Sequence, residues 1–120
     1  MLVVDDDADN LVLVNYVLEQ FDCLLYCETE GKAALNLIWK LQPDLIVLDI
    51  RLPGMSGLEI TQIVRRHPAT SAIPIIAVTA LATSRDQAEI ILAGCNHYLP
   101  KPYLIDDIRR LIGRYITARP

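Results

Sequence analysis

Three consecutive acids, Asp5-Asp6-Asp7, follow the short apolar run Leu2-Val3-Val4. Three further apolar runs end in the same way. Residues 45–48 run into Asp49, residues 75–78 into Thr79, and Tyr98-Leu99-Pro100 into Lys101. If these runs are parallel strands, all of the end residues reach one edge of one sheet, where open α/β sheets place their ligands. A carboxylate cluster, a hydroxyl and an ammonium gathered there suit metal-assisted phosphoryl chemistry. Two like charges about 4 Å apart repel by roughly 1–4 kcal/mol, depending on the effective dielectric. A hard cation relieves that strain, and Mg²⁺ takes one or two carboxylates together with water and phosphate oxygens. Asp49 is the candidate nucleophile, because a carboxylate can accept a phosphoryl group as an acyl phosphate. Lys101 offers a point charge and Thr79 a compact hydroxyl. Taken singly, these are a solvated acidic turn, a strand-end threonine and a surface lysine. Their joint placement gives them value.

The elements that must position these residues alternate along the chain. Residues 2–5 read as a short buried strand, followed by a helix over 9–21 with Val14, Val17, Leu18 and Phe21 on one stripe. Residues 23–27 read as the second strand. A helix over 31–41 carries Ala34, Leu37, Ile38 and Leu41 inward and is closed by Pro43. Residues 44–49 form a continuous β-branched and leucine run, as a strand covered on both faces should. Residues 51–57 are a loop rich in turn residues. A third helix over 58–67 has Ile60, Ile63, Val64 and His67 on its stripe and stops at Pro68. The fourth strand covers 73–78. Ser84 is the expected cap of a helix reaching Ala93, with Gly94 at its end. A fifth strand covers 97–100. The last helix covers 105–116, with Ile108, Leu111, Ile112 and Tyr115 inward and Asp106-Asp107 at its positive end. Right-handed crossovers then put helices on both faces of a parallel sheet. No internal repeat or linker is visible, so residues 1–120 are expected to be one domain with no output domain in this chain.

V-D-D-D, L-I-V-L-D-I-R-L-P-G-M-S-G, A-V-T-A and Y-L-P-K-P-Y, in this order, resemble the receiver domain of bacterial two-component response regulators. The resemblance covers essentially the whole chain. It implies a flavodoxin-like five-stranded parallel sheet of order 2-1-3-4-5 with five helices. It implies that Asp49 is the phosphorylated aspartate and that Mg²⁺ is the cofactor. Asp6 would then be a direct metal ligand, Asp5 would act nearby through water, and Arg51 would lend its backbone carbonyl. Thr79 and Lys101 would contact the phosphoryl group, the Lys101–Pro102 peptide would be cis, and Tyr98 would be the aromatic switch. Gly57 matches the glycine that opens the third helix. Asp7 receives no role. Arg51 and Leu81 stand at positions that tune phosphoryl lifetime in the family. The implied donor is a histidine kinase or a histidine phosphotransfer protein. The implied readout is the face made by the fourth helix, fifth strand and fifth helix, which would control a partner or self-association. The domain would phosphorylate and dephosphorylate itself without being a turnover enzyme.

Other readings fit less well. A haloacid-dehalogenase-type phosphatase needs an aspartate two positions after the nucleophile, where this chain has Arg51. A flavodoxin-like cofactor binder needs a hydroxyl- and glycine-rich loop where this chain has three acids. A receiver-like module that only binds partners would not need the full set of Asp5, Asp6, Asp49, Thr79 and Lys101.

The composition agrees. A chain of 120 residues that is 52% hydrophobic can bury a real core. A net charge of -4 argues against a broad nucleic-acid surface. No stretch approaches the ~18 apolar residues of a membrane span, and the start lacks a signal peptide's basic region. The expected location is the cytoplasm, with no membrane and no direct nucleic-acid contact. Cys23, Cys27 and Cys95 are odd in number and lack a C-x-x-C pair, so buried free thiols are expected. Two apolar surfaces point to partners. On the first helix, Leu11, Val12 and Tyr16 lie off the inward stripe and are the expected docking site for the phosphodonor. On the fourth, Ile90, Ile91 and Leu92 cannot all face the core, so Ile91 is placed on the output or homodimer face. Trp39 and Leu35 share an off-stripe side of the second helix and receive no function.

Overall fold

A computed structural model describes residues 1–80 and 83–117. The elements follow in the order β1 (Leu2–Val4), α1 (Ala8–Leu18), β2 (Tyr26–Glu28), α2 (Gly31–Leu41), β3 (Ile46–Asp49), α3 (Gly57–Arg66), β4 (Ile75–Thr79), α4 (Ser84–Ala93), β5 (His97–Pro100) and α5 (Ile105–Gly113). The strands are all parallel and lie in the order β2-β1-β3-β4-β5. The expected flavodoxin-like architecture is the one observed.

Alternation along the central strands builds two cores. Val3, Val47, Ile76 and Val78 face α1 and α5, where Val14, Val17, Ile108 and Ile112 meet them. Leu2, Val4, Ile46, Leu48 and Ala77 face the other way, against Ala34 and Ile38 of α2, Ile60 and Val64 of α3, and Ile90 of α4. Helices on both faces explain why these strands are continuously apolar. Among the described residues, no helix is long and apolar enough to cross a membrane.

The helix starts are set by side-chain caps. Asp7 accepts from the Asp9 amide ahead of α1, Ser56 from the Glu59 amide ahead of α3, and Thr83 from the Asp86 amide ahead of α4. The cap of α4 is therefore Thr83, one residue before the expected Ser84. Gly94 ends α4 with φ 115°, a conformation that suits a residue without Cβ.

Several boundaries depart from expectation for identifiable reasons. The second strand begins at Tyr26 instead of Cys23. The register Leu2↔Tyr26 puts Leu25 opposite Met1 and leaves Cys23 and Leu24 no residue of β1 to pair with. The thiols are therefore not all buried. Cys95 is buried and Cys23 partly so, but Cys27 is exposed on a strand at the sheet's edge. All three are free, and burial pushes the Cys95 thiol up. The first helix ends at Leu18, although Phe21 beyond it remains buried. The third helix ends at Arg66. His67 precedes Pro68, which disfavours helical backbone, so His67 is extended with ψ 127°. Its ring is exposed, edge-on to Trp39 at 4.7 Å, and does not point inward. The fifth helix ends at Gly113. The four-residue spacing from Ile108 through Ile112 continues to Ile116, which is buried in place of Tyr115. The Tyr115 hydroxyl instead meets His97 Nε2 at 2.7 Å.

One side chain fastens the far end of α4. The Arg65 guanidinium donates to the carbonyls of Gly94 (2.9 Å), Ser71 (3.1 Å) and Ile73 (2.6 Å), and to Asn96 Oδ1 (2.9 Å). Asn96 Oδ1 also accepts from the Ile75 amide at 2.8 Å.

Gly57 ties the fold to the strand edge. A Cβ there would lie 2.5 Å from the Asp49 carbonyl oxygen and 2.8 Å from Ile50 Cα. Gly57→Ala is therefore expected to lower stability by about 1–3 kcal/mol. Urea unfolding measures this, and an unchanged midpoint would show that β3 and α3 are not held so closely.

Candidate functional site

The parallel order brings the four strand ends to one edge, as the sequence requires. Asp5 and Asp6 follow β1, Asp49 ends β3, Thr79 ends β4 and Lys101 follows β5. Asp5, Asp49 and Thr79 are buried, Lys101 is half-buried and Asp6 is exposed. One carboxylate oxygen from each of Asp5, Asp6 and Asp49 lies within 4.8 Å of the others.

Lys101 holds this cluster together. Its Nζ is 3.0 Å from Asp5 Oδ2 and 3.1 Å from Asp49 Oδ2. Its backbone amide donates to the Thr79 carbonyl at 2.8 Å, which fixes the strand end from which the side chain departs. The Lys101–Pro102 peptide is cis, as the resemblance implies. Asp49 Oδ1 accepts from the Arg51 amide at 3.0 Å. The loop after β3 thus orients the carboxylate while the Arg51 side chain stays exposed.

The charges are unevenly balanced. Burial pushes the Asp49 carboxyl above its ordinary range. The Arg51 amide opposes this, the Asp5 charge adds to it, and Lys101 offsets part of the rise. For Lys101, burial pulls the ammonium down, but its bonds to Asp5 and Asp49 outweigh burial and hold it above its usual value. Three acids against one ammonium leave excess negative charge on hard oxygen atoms. That donor set fits a small divalent cation.

Other sequence-derived residues are placed as follows. Tyr98 is half-buried against the core on the α2, α3 and α4 face. Val12 and Tyr16 are exposed on α1, at 69% and 54%. Leu11 is not part of that surface. It is half-buried against the core, so the exposed apolar patch on α1 is narrower than expected. Ile91 and Leu92 are exposed on α4 while Ile90 is buried. Leu81 lies outside the described residues.

Sequence reasoning missed three residues. Asp7 caps α1. Asn10 donates from Nδ2 to Asp5 Oδ2, and its Oδ1 accepts from the Tyr103 hydroxyl. Tyr103 is pushed up to about 12, chiefly by burial and then by the Asp5 charge. A legible signal existed for Asn10. It stands four residues before Val14 and so puts a polar group on an otherwise apolar stripe.

A family model described as the response regulator receiver domain matches residues 1–113. A 14.6 kDa uncharacterised protein of Leptolyngbya boryana is 36% identical over 120 residues, covering 100% of this chain and 92% of its own length. The polar-differentiation response regulator DivK of Brucella anthropi is 34% identical, covering 97% of this chain and 94% of its own length. Among solved structures, the receiver domain of sensor histidine kinase PA1611 from Pseudomonas aeruginosa superimposes with a TM-score of 0.85 at 29% identity. The match covers 95% of this chain and 93% of that one, and that structure has a magnesium ion coordinated in its active-site cleft.

The raised Asp49 pKa fixes the sign of a pH effect. The folded state holds this proton more tightly than the unfolded state, whose carboxyl titrates near 3.8. Stability therefore falls as pH rises from the unfolded value through the folded one, and the penalty is complete above it. Asp49→Asn keeps an acceptor for the Arg51 amide and removes the charge. In chelator at neutral pH this variant is expected to gain about 1 kcal/mol, or roughly 4 °C in unfolding temperature. The gap should close on acidification toward pH ~4. Thermal melts across that range measure it, and a variant no more stable than wild type at neutral pH would contradict the charge balance.

Proposed function

The chain belongs to the response regulator receiver domain family, and we propose that Asp49 is the phosphoacceptor of its signalling switch. The observation that carries this reading is the Asp49 carboxylate at the end of β3, bonded to Lys101 at 3.1 Å and grouped with the Asp5 and Asp6 carboxylates. Asp49 Oδ attacks the phosphorus of a phosphohistidine on a histidine kinase or histidine phosphotransfer protein. The new O–P bond forms as the N–P bond breaks, and its electron pair returns to the imidazole nitrogen. Hydrolysis later replaces the O–P bond of the acyl phosphate with one to water oxygen and restores the carboxylate.

Asp5, Asp6, Asp49 and the Arg51 carbonyl would hold Mg²⁺, which neutralises charge on the transferring group. Lys101, bonded to Asp49, supplies a second positive charge. Thr79 donates its hydroxyl to a phosphoryl oxygen, and Tyr98 turns inward behind it. These movements reshape the face made by α4, β5 and α5. Shifting a two-state population from 1:99 to 99:1 needs about 5.5 kcal/mol of differential stabilisation, within reach of several charge-assisted hydrogen bonds. Val12 and Tyr16 on α1 receive the donor. The α4 face, with Ile91 exposed, serves output or a homodimer. No direct nucleic-acid or membrane contact is required, and the site of action is the cytoplasm.

Incubation with a small phosphodonor and Mg²⁺ is expected to add one phosphoryl group by intact mass. Asp49→Ala or excess chelator should abolish the gain. Persistent phosphorylation of Asp49→Ala would rule the assignment out. For the docking surface, Val12→Glu with Tyr16→Glu is expected to slow transfer from the histidine donor at least tenfold while leaving phosphorylation by the small donor unchanged. A single interface hot spot worth about 2 kcal/mol already gives this much. Equal transfer rates would exclude α1 as the docking surface.

A further inference from the structure

Asn10 is a buried amide on the inward stripe of α1, 8% exposed among Val14, Val17 and Leu18. An aliphatic side chain would continue the stripe. The amide instead bridges two groups, donating to Asp5 Oδ2 and accepting from the Tyr103 hydroxyl. Chemistry allows only this sense. An ionised carboxylate accepts and does not donate, so the amide nitrogen must face Asp5. The amide oxygen then faces Tyr103, whose hydroxyl must donate. The end of β1, the first turn of α1 and the segment after β5 are joined by these bonds.

The bridge acts on a carboxylate that is pulled from several sides. Asp5 Oδ1 accepts from the Asp7 amide at 2.9 Å and from Lys101 at 3.3 Å. Asp5 Oδ2 lies 3.0 Å from the same ammonium and also takes the Asn10 amide. The ammonium already reaches both Asp5 oxygens, so the Asn10 amide is the donor that ties Oδ2 to the first turn of α1. With it, the carboxylate keeps one orientation.

We propose that Asn10 and Tyr103 are positioning residues that orient the Asp5 carboxylate for cation binding, with Tyr103 acting through Asn10. This rests on the reading of Asp5, Asp6 and Asp49 as cation holders. Neither residue touches the reacting atoms. A packing role for Tyr103 would survive Tyr103→Phe, whereas an orienting role would not.

The test measures Mg²⁺ binding to the full chain by calorimetry for wild type, Tyr103→Phe, Asn10→Ala and the double variant. Tyr103→Phe is expected to weaken binding about threefold to tenfold, the loss of one hydrogen bond. Asn10→Ala should weaken it at least as much. Adding Tyr103→Phe to Asn10→Ala should then change nothing further, because the two act in series. The Mg²⁺ concentration for half-maximal phosphorylation should shift by the same factor, while the rate at saturating Mg²⁺ stays near wild type. By NMR, the Asn10 side-chain amide protons should exchange slowly in wild type and lose protection in Tyr103→Phe. If Asn10→Ala does not fold, the affinity and amide protection of Tyr103→Phe alone decide. An affinity within twofold of wild type for Tyr103→Phe, or an undiminished loss in the Asn10→Ala background, would overturn the proposal while leaving the cation site standing. A wild-type protein that binds no Mg²⁺ would overturn the cation site and the proposal with it.

Discussion

The Lys101 ammonium between the carboxylates of Asp5 and Asp49 is the contact on which the site depends. It joins the ends of three strands whose residues lie 52 and 96 positions from Lys101 along the chain. The parallel sheet, with β1, β3 and β4 adjacent and β5 beyond, brings these ends together. The hydrophobic core is thus the means by which one ammonium is set between two acids. Removing water from such a group is costly, and deleting the ammonium would leave two buried carboxylates uncompensated, a larger loss than the pairs themselves contribute. The edge is therefore held by opposing terms: repulsion among acids, one fixed cation, and backbone amides that each satisfy one oxygen.

Most of this architecture can be read from residue order. The central strands were legible because both faces are covered and each is a run of β-branched residues and leucines ending in a polar group. The second helix was legible in its bounds, because Gly31 opens it and Pro43 closes it. The failures are tertiary. Nothing local in Cys23-Leu24-Leu25 says that pairing begins at Tyr26; that follows from the register with Leu2. The rotation of His67 out of the core follows from the proline after it, a signal present in the sequence but outweighed by the helical period.

The same division runs through the site. Asp49, Thr79 and Lys101 stand at strand ends and declare themselves by position. Asn10 and Tyr103 do not, because their partnership spans 93 residues and appears only when α1 and the segment after β5 are packed together. The surfaces are least legible of all. Leu11 and Val12 are adjacent and similar in character, yet one is half-buried and the other 69% exposed, a difference of one helical step.

The Arg65 clamp has a mechanical meaning. It ties the Gly94 end of α4, through the Gly94 carbonyl and the Asn96 side chain, to the Ser71 and Ile73 carbonyls ahead of β4, while the Thr83 end follows shortly after Thr79 in the chain. Any displacement of α4 that keeps the clamp is a tilt about a fixed pivot. Ten residues at 1.5 Å rise make a lever about 15 Å long, so a tilt of about 10° moves its free end by roughly 2.6 Å and its anchored end hardly at all. Exposed side chains along α4 would then travel in proportion to their distance from Gly94. A partner gripping the Thr83 end would feel the full stroke, and one gripping Leu92 would feel almost none.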